Sequence, residues 1–237
     1  MVDISVFADT ARLDQIKLLA GTRRVAGFTT NPTLFRAAGA TDYLEHARAV
    51  IEAAAGKPVS LEVIADDLVE MGRQARILDA LAPWIYVKIP VTTTDGASTC
   101  ALISDLRSDG ISLNITAVFT EAQVRELVEC FRHYPRVPVI VSIFAGRIAD
   151  AGCDAYQLVR DCCRMLAMGT GGMVQVLWAS PRQVYDLLLA DRAGCAIITM
   201  TPELIDKIRL INKDLTIFSR ETVEMFYRDA QAAGYVL

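Results

Sequence analysis

Eight short apolar runs recur along the 237-residue chain, separated by stretches in which apolar residues fall three and four apart. The runs are ISVFAD (4–9), VAGFTT (25–30), VSLEV (59–63), IYVKIPV (85–91), ISLNITAV (111–118), VPVIVSIF (137–144), MVQVLWAS (173–180) and CAIITM (195–200). They are rich in β-branched residues and nearly continuous in hydrophobicity, the pattern of parallel strands covered on both faces. Between them, TDYLEHARAVIEAA and ADDLVEMGRQARILDAL have helical spacing, with Thr or Asp placed to cap the first turn. TEAQVRELVECFR begins at Thr120, SPRQVYDLLLA begins at Ser180 with Pro181 next, and SRETVEMFYRDAQAAG predicts a last helix ending at Gly234.

Strand and helix alternating eight times without a linker predict a parallel sheet wrapped by helices. Eight units favour closure as a (β/α)8 barrel, the TIM barrel, over an open doubly wound sheet. The chain is expected to form one domain over 1–237, with residues 219–237 as an additional C-terminal helix and tail. An open sheet would carry a glycine-rich loop after its first strand, and FADTARLDQ has no glycine. The cluster GTGG (169–172) precedes a strand, which is the place of a helix stop rather than a phosphate loop.

With 53% hydrophobic and 22% charged residues, the chain can bury a large core. Its net charge of −4, with no basic stripe, argues against nucleic acid or an anionic membrane surface as partner. No apolar run approaches the roughly 20 residues that span a bilayer. MVDISVFADT lacks the basic-then-apolar pattern of a signal peptide. A cytoplasmic protein with six free cysteines is therefore expected. Two separated histidines, His46 and His133, make a histidine-based metal site improbable.

In such a barrel the active site lies at the C-terminal ends of the strands. Polar residues collect there: Asp9, then Thr29, Thr30 and Asn31, then Glu62 and Lys88. Asn114, Thr116, Ser142, Arg147 and Ser180 follow on the later strands. Several have ordinary explanations: Asp9 as a helix cap, Asn31 before Pro32 as turn chemistry, Thr116 as a strand former. Glu62 and Lys88 each place a charge in an apolar strand. They could pair with each other as buried ions, although such pairs often add little net stability. A lysine in apolar surroundings also has a chemical use. Burial favours the neutral form of an amine, and the free amine attacks a ketone to give an iminium that accepts the electrons of a breaking carbon–carbon bond. Such chemistry needs an acid/base as well, for which Asp9 and Glu62 are available, and it needs no metal.

The segments GFTTNPTLF (27–35), VSLEV (59–63), YVKIPVT (86–92), NITAVF (114–119) and VSIFAGRIAD (141–150) resemble the transaldolase family, in its short form together with the fructose-6-phosphate aldolase type. They occur in family order across roughly the first two-thirds of the chain. The resemblance implies a cofactor-independent enzyme acting on sugars, in which Lys88 forms a Schiff base with the donor ketose. It implies that Asp9 is the acid/base at the donor's C4 hydroxyl, and that Glu62 and Thr116 hold the water used in iminium formation. Asn31 and Asn114 would orient a dihydroxyacetone unit, Thr29, Thr30 and Ser142 would line the pocket, and Arg147 would grip a phosphate. Glutamate at position 62 matches the transaldolases, where the aldolase type has glutamine; this favours transfer of the three-carbon unit over its release. A lyase and a non-catalytic sugar-phosphate-binding barrel are the alternatives. Short family members commonly form homo-oligomeric rings of five or ten subunits. The chain departs from the family after the seventh strand. There the usual Ser-Phe-basic segment is replaced by WASPR, so that Arg182 either supplies the missing cation or lies on the helix surface. Trp178 reads as core packing or as a new pocket wall, and a phosphate, a sulfonate or no anionic group are the alternatives for the substrate's far end.

Overall fold

Each apolar run becomes a strand trimmed at one or both ends: β1 (Ser5–Asp9), β2 (Gly27–Thr29), β3 (Val59–Glu62), β4 (Ile85–Pro90), β5 (Leu113–Val118), β6 (Val139–Ile143), β7 (Val174–Trp178) and β8 (Ile197–Met200). The structure is a computed structural model, and it describes residues 3–131, 137–172 and 174–236. Every strand pairs in parallel with its sequence neighbours, and β8 pairs with β1 to close the barrel in the order β1 to β8. Parallel pairing requires a crossover between consecutive strands, and the helices supply it. They are α1 (Leu13–Ala20), α2 (Pro32–Ala37), α3 (Tyr43–Ala53), α4 (Leu68–Asp79), α5 (Cys100–Ser108) and α6 (Glu121–Phe131). The second half adds α7 (Ala145–Asp150), α8 (Ala155–Thr170), α9 (Asp186–Ala193), α10 (Pro202–Lys207) and α11 (Leu215–Ala233). His133 lies outside the described residues.

Successive strand residues point to opposite faces, so each strand contributes alternately to the lumen and to the layer beneath the helices. The outer layer is the main core, with Val87, Ile89, Leu113, Ile115 and Val141 meeting the helices' apolar faces. Trp178, 2% exposed, belongs to this outer layer. A smaller cluster, Phe7, Ile140, Leu177, Ala179 and Ile197, fills the lumen. Phe7 presses against Gly27: a Cβ on that glycine would stand 2.7 Å from the ring, so the absence of a side chain there lets the ring plug the barrel.

Local chemistry sets the helix starts. Asp42 accepts the Glu45 N–H at 2.8 Å and Asp67 accepts the Glu70 N–H at 2.9 Å, caps worth about 1 kcal/mol each. GTGG ends α8, with Gly171 in the left-handed region at φ +64°. Two expected boundaries differ. The last helix starts at Leu215, because Asp214 captures the N–H groups of Thr216 and Ile217. Ser180 does not start a helix: it is left-handed at φ +60°, and α9 begins only at Asp186. The Ser180 carbonyl lies so close to Gly146 that a Cβ there would fall 1.6 Å from it. The Asp186 carboxylate instead ties down the loop by accepting the Arg182 N–H at 2.6 Å.

α11 is distinct from the other long helices. None of its residues is buried, and it exposes Leu215, Val223, Phe226 and Tyr227. No helix of the described residues is long and apolar enough to cross a membrane. The cysteines are free thiols, with 3.9 Å between the sulfurs of Cys163 and Cys195.

Candidate active site

The alternation that builds the lumen also selects which polar side chains reach its upper end. On β1, Phe7 and Asp9 point inward; on β2, Thr29; on β3, Ser60 and Glu62; on β4, Tyr86 and Lys88. Asn114 and Thr116 on β5, Ser142 on β6 and Thr199 on β8 continue the ring. At the C-terminal ends of the strands Asp9, Thr29, Lys88, Thr116, Ser142 and Thr199 line a small cavity of about 100 Å³, while Glu62 joins them through its contact with Lys88 and Asn114 through Ser142.

Lys88 is 6% exposed. It sits beside Glu62 across the β3–β4 pairing, and its Nζ lies 2.9 Å from Glu62 Oε2. A second bond of 2.9 Å runs from Nζ to the Thr30 carbonyl. The buried ion pair envisaged from the sequence is therefore present. It is also the arrangement in which a carboxylate can take the ammonium proton and release the amine as a nucleophile. Glu62 is held in turn by Tyr43, whose hydroxyl donates to the Glu62 carbonyl at 2.6 Å and accepts its N–H at 3.1 Å. Burial pushes the Tyr43 phenol well above its ordinary range, so it stays protonated.

Asp9 faces the same cavity. Burial raises its carboxyl above the usual aspartate range, while the charge of Lys88 and a 2.7 Å hydrogen bond from Thr29 act in the opposite direction. A carboxylate so placed can exchange protons with a group bound in the cavity. Thr116 Oγ1 is buried and has no hydrogen-bond partner among the described residues. An unpaired buried hydroxyl is costly, so this one marks a place where a water or a ligand atom belongs.

The remaining predicted residues divide by position. Asn31 lines the cavity while its side-chain oxygen caps α2 by accepting the Leu34 N–H at 2.9 Å. Ser142 lines it too, donating to Asn114 Oδ1 at 2.7 Å; Asn114 then donates to Ser60 at 3.0 Å from below. Arg147 and Ser180 close one side, the Arg147 guanidinium lying 5.3 Å from the centre of the Phe144 ring. Thr30 points outward, its hydroxyl on the Ser60 carbonyl, and contributes its own carbonyl to Lys88. Arg182 is not brought to the cavity: it pairs with Asp150 of α7, both side chains half exposed. Three lining residues escaped sequence reasoning, Phe144, Ala179 and Thr199. Thr199 was detectable, since it is a polar residue at an inward strand position, but a β-branched threonine also reads as a plain strand former.

A buried lysine paired with a glutamate and facing an aspartate at the mouth of an eight-stranded barrel has a counterpart among known families. Residues 6–235 match the family model described as transaldolase/fructose-6-phosphate aldolase. The chain belongs to this family. A probable transaldolase of Erythrobacter litoralis is 34% identical over 228 residues, covering 96% of this chain and 97% of that protein. One from Ruegeria pomeroyi is also 34% identical, covering 96% of each chain. One from Symbiobacterium thermophilum is 32% identical, covering 97% and 98%. Among solved structures, a dihydrodipicolinate synthase of Thermotoga maritima superposes with a TM-score of 0.61 at 11% identity over 98% of this chain and 82% of that one. At that identity the likeness is one of barrel architecture. The family match takes in all but the first residue of the barrel's strands and the whole of α11.

Proposed function

We propose that this family member is a transaldolase-type transferase, moving a dihydroxyacetone unit from an anionic ketose to an aldose through a Schiff base on Lys88. The observation that carries the reading is the 2.9 Å contact of Glu62 with the buried Lys88 amine, which shares a cavity with Asp9. In the proposed sequence Lys88 Nζ adds to the donor's C2 carbonyl, and the carbinolamine loses water to form the iminium. Glu62 and the unpaired Thr116 hydroxyl hold and protonate that water. Asp9 takes the proton of the C4 hydroxyl, the C3–C4 bond breaks, and its electrons move into the enamine as the first aldehyde leaves. An acceptor aldehyde then adds, Asp9 returns the proton, and water releases the product and the lysine. Asn31, Ser142 and Asn114 orient the three-carbon unit, and Thr29 orients Asp9. Arg147 receives the anionic end by the forked hydrogen bonding a guanidinium offers. Arg182, engaged by Asp150, has no part in that contact. No metal or cofactor enters this scheme.

Incubation with fructose 6-phosphate and borohydride should attach a three-carbon fragment to Lys88, located by peptide mass spectrometry. An adduct elsewhere, or none, would contradict the assignment. Free dihydroxyacetone, measured with and without glyceraldehyde 3-phosphate, separates transfer from the lyase alternative, because a transferase releases little of it. Turnover of no ketose tried, with ligand binding retained, would instead support a binding barrel.

The free thiols fit a cytoplasmic setting. We also propose that the exposed apolar residues of α11 pack on another subunit of a homo-oligomer. Sedimentation of the whole chain beside one ending at residue 214 tests this: the shortened chain should lose mass by whole subunits, and an unchanged assembly would refute it.

A further inference from the structure

The two oxygens of the Asp9 carboxylate have different surroundings. Oδ1 accepts the Thr29 hydroxyl at 2.7 Å, and no described residue donates to Oδ2. Thr29 Oγ1 is also hydrogen-bonded to Thr199 Oγ1. A hydroxyl has one hydrogen, and that of Thr29 is given to Asp9. In the second contact the donor must therefore be Thr199, and the hydrogens run in one direction from Thr199 to Thr29 to Asp9. Both threonines are buried, 3% exposed for Thr29 and 5% for Thr199. The three side chains meet where β1 pairs with β2 on one side and with β8 on the other.

We propose that Thr199 is a positioning residue for the acid/base step, fixing the Thr29 hydroxyl on Asp9 Oδ1 and so reserving Oδ2 for the substrate's proton. The inference rests on the reading of Asp9 as the base of aldol cleavage. Its physical content is orientational. With Thr199 in place, the Thr29 oxygen accepts from one side and can donate only toward Asp9. Without it, the Thr29 hydroxyl is free to rotate, and the carboxylate loses a fixed donor. A fixed donor favours the ionised carboxylate, whereas burial opposes it. The other charged groups around Asp9 are Lys88 from β4, Glu62 from β3 and Arg147 from α7, and among the described residues none of them is hydrogen-bonded to Thr199.

The test compares Thr199→Val, which keeps the shape and removes the hydroxyl, with Thr199→Ser, which keeps the hydroxyl. Thr199→Val should lower kcat by about tenfold with KM little changed, a modest part of what acid/base catalysis supplies. The acid limb of its pH profile should move up by about half a unit, since less of Asp9 is ionised at a given pH. Thr199→Ser should restore both. Infrared titration of the Asp9 carboxyl, its band identified by loss in Asp9→Asn, reads the same shift without turnover. A wild-type titration in Thr199→Val, or equal impairment in Thr199→Ser, would overturn the proposal. Borohydride labelling at Lys88 should survive in Thr199→Val. If the wild type itself fails to label, the proposed function falls, and the infrared titration still decides the role of Thr199.

Discussion

Lys88→Met is expected to lower kcat by at least about 10⁴-fold, because no other group can form the covalent intermediate. The borohydride adduct should vanish with the activity, and binding of the unreacted ketose phosphate should persist. The substitution should also destabilise the fold, for a reason separate from catalysis. Methionine fills the lysine's place, but it strands the Glu62 carboxylate, which is only partly exposed. Removing one member of a buried pair is far more costly than removing both. Equilibrium denaturation should therefore find the single variant weaker by about 1–3 kcal/mol, with most of this regained in the double variant with Glu62→Gln. A single variant as stable as wild type would mean that the ion pair is solvated rather than enclosed. Retained labelling on another lysine would remove Lys88 from the mechanism.

Asp9→Asn should show the opposite balance. Turnover should fall by about 10²–10⁴-fold with loss of the base. Schiff-base labelling should continue, since carbinolamine formation precedes the step that needs Asp9. Stability, however, should rise. Burial raises the Asp9 carboxyl above its ordinary value of 3.8, so the folded protein holds this proton more tightly than the unfolded chain does. For a group shifted in that direction the favourable contribution is complete below the ordinary value and is lost as pH rises through the folded one. The wild type should thus lose stability above about pH 4 through this residue, and the asparagine variant should lack that part of the slope. Thermal melts of both proteins across this range would measure it. A variant less stable than wild type at neutral pH would show that Asp9 is a structural anchor.

The barrel was legible because its evidence is redundant. Each of eight runs repeats the same signal, and an error of two residues at the end of IYVKIPV or CAIITM leaves the strand count unchanged. Convergence of the site was legible for a related reason: once the strands are parallel in one barrel, alternation alone turns Asp9, Glu62, Lys88 and Thr116 toward the same lumen. What the sequence could not convey was decided by contacts between distant segments. Ser180 followed by Pro181 has the local form of a helix start. It is overruled by the carbonyl of Ser180 settling against Gly146, a contact 34 positions away in the chain. The short helices α2, α7 and α10 carry too few turns to show a period. Thr199 was passed over because its strand preference hides its hydroxyl. Arg182 was ambiguous for want of its partner: only the fold shows that Asp150 of α7 lies within reach.

The contact between Phe7 and Gly27 has a consequence for traffic. A ring lodged against a residue with no side chain leaves the lumen blind, so the chamber above it has a single doorway. The chamber is small, about 100 Å³. Under the proposed transfer, the departing aldehyde would leave by the way its replacement enters. The order of events would then be imposed by the dead end beneath the lysine, and the enzyme would need no moving part to enforce it.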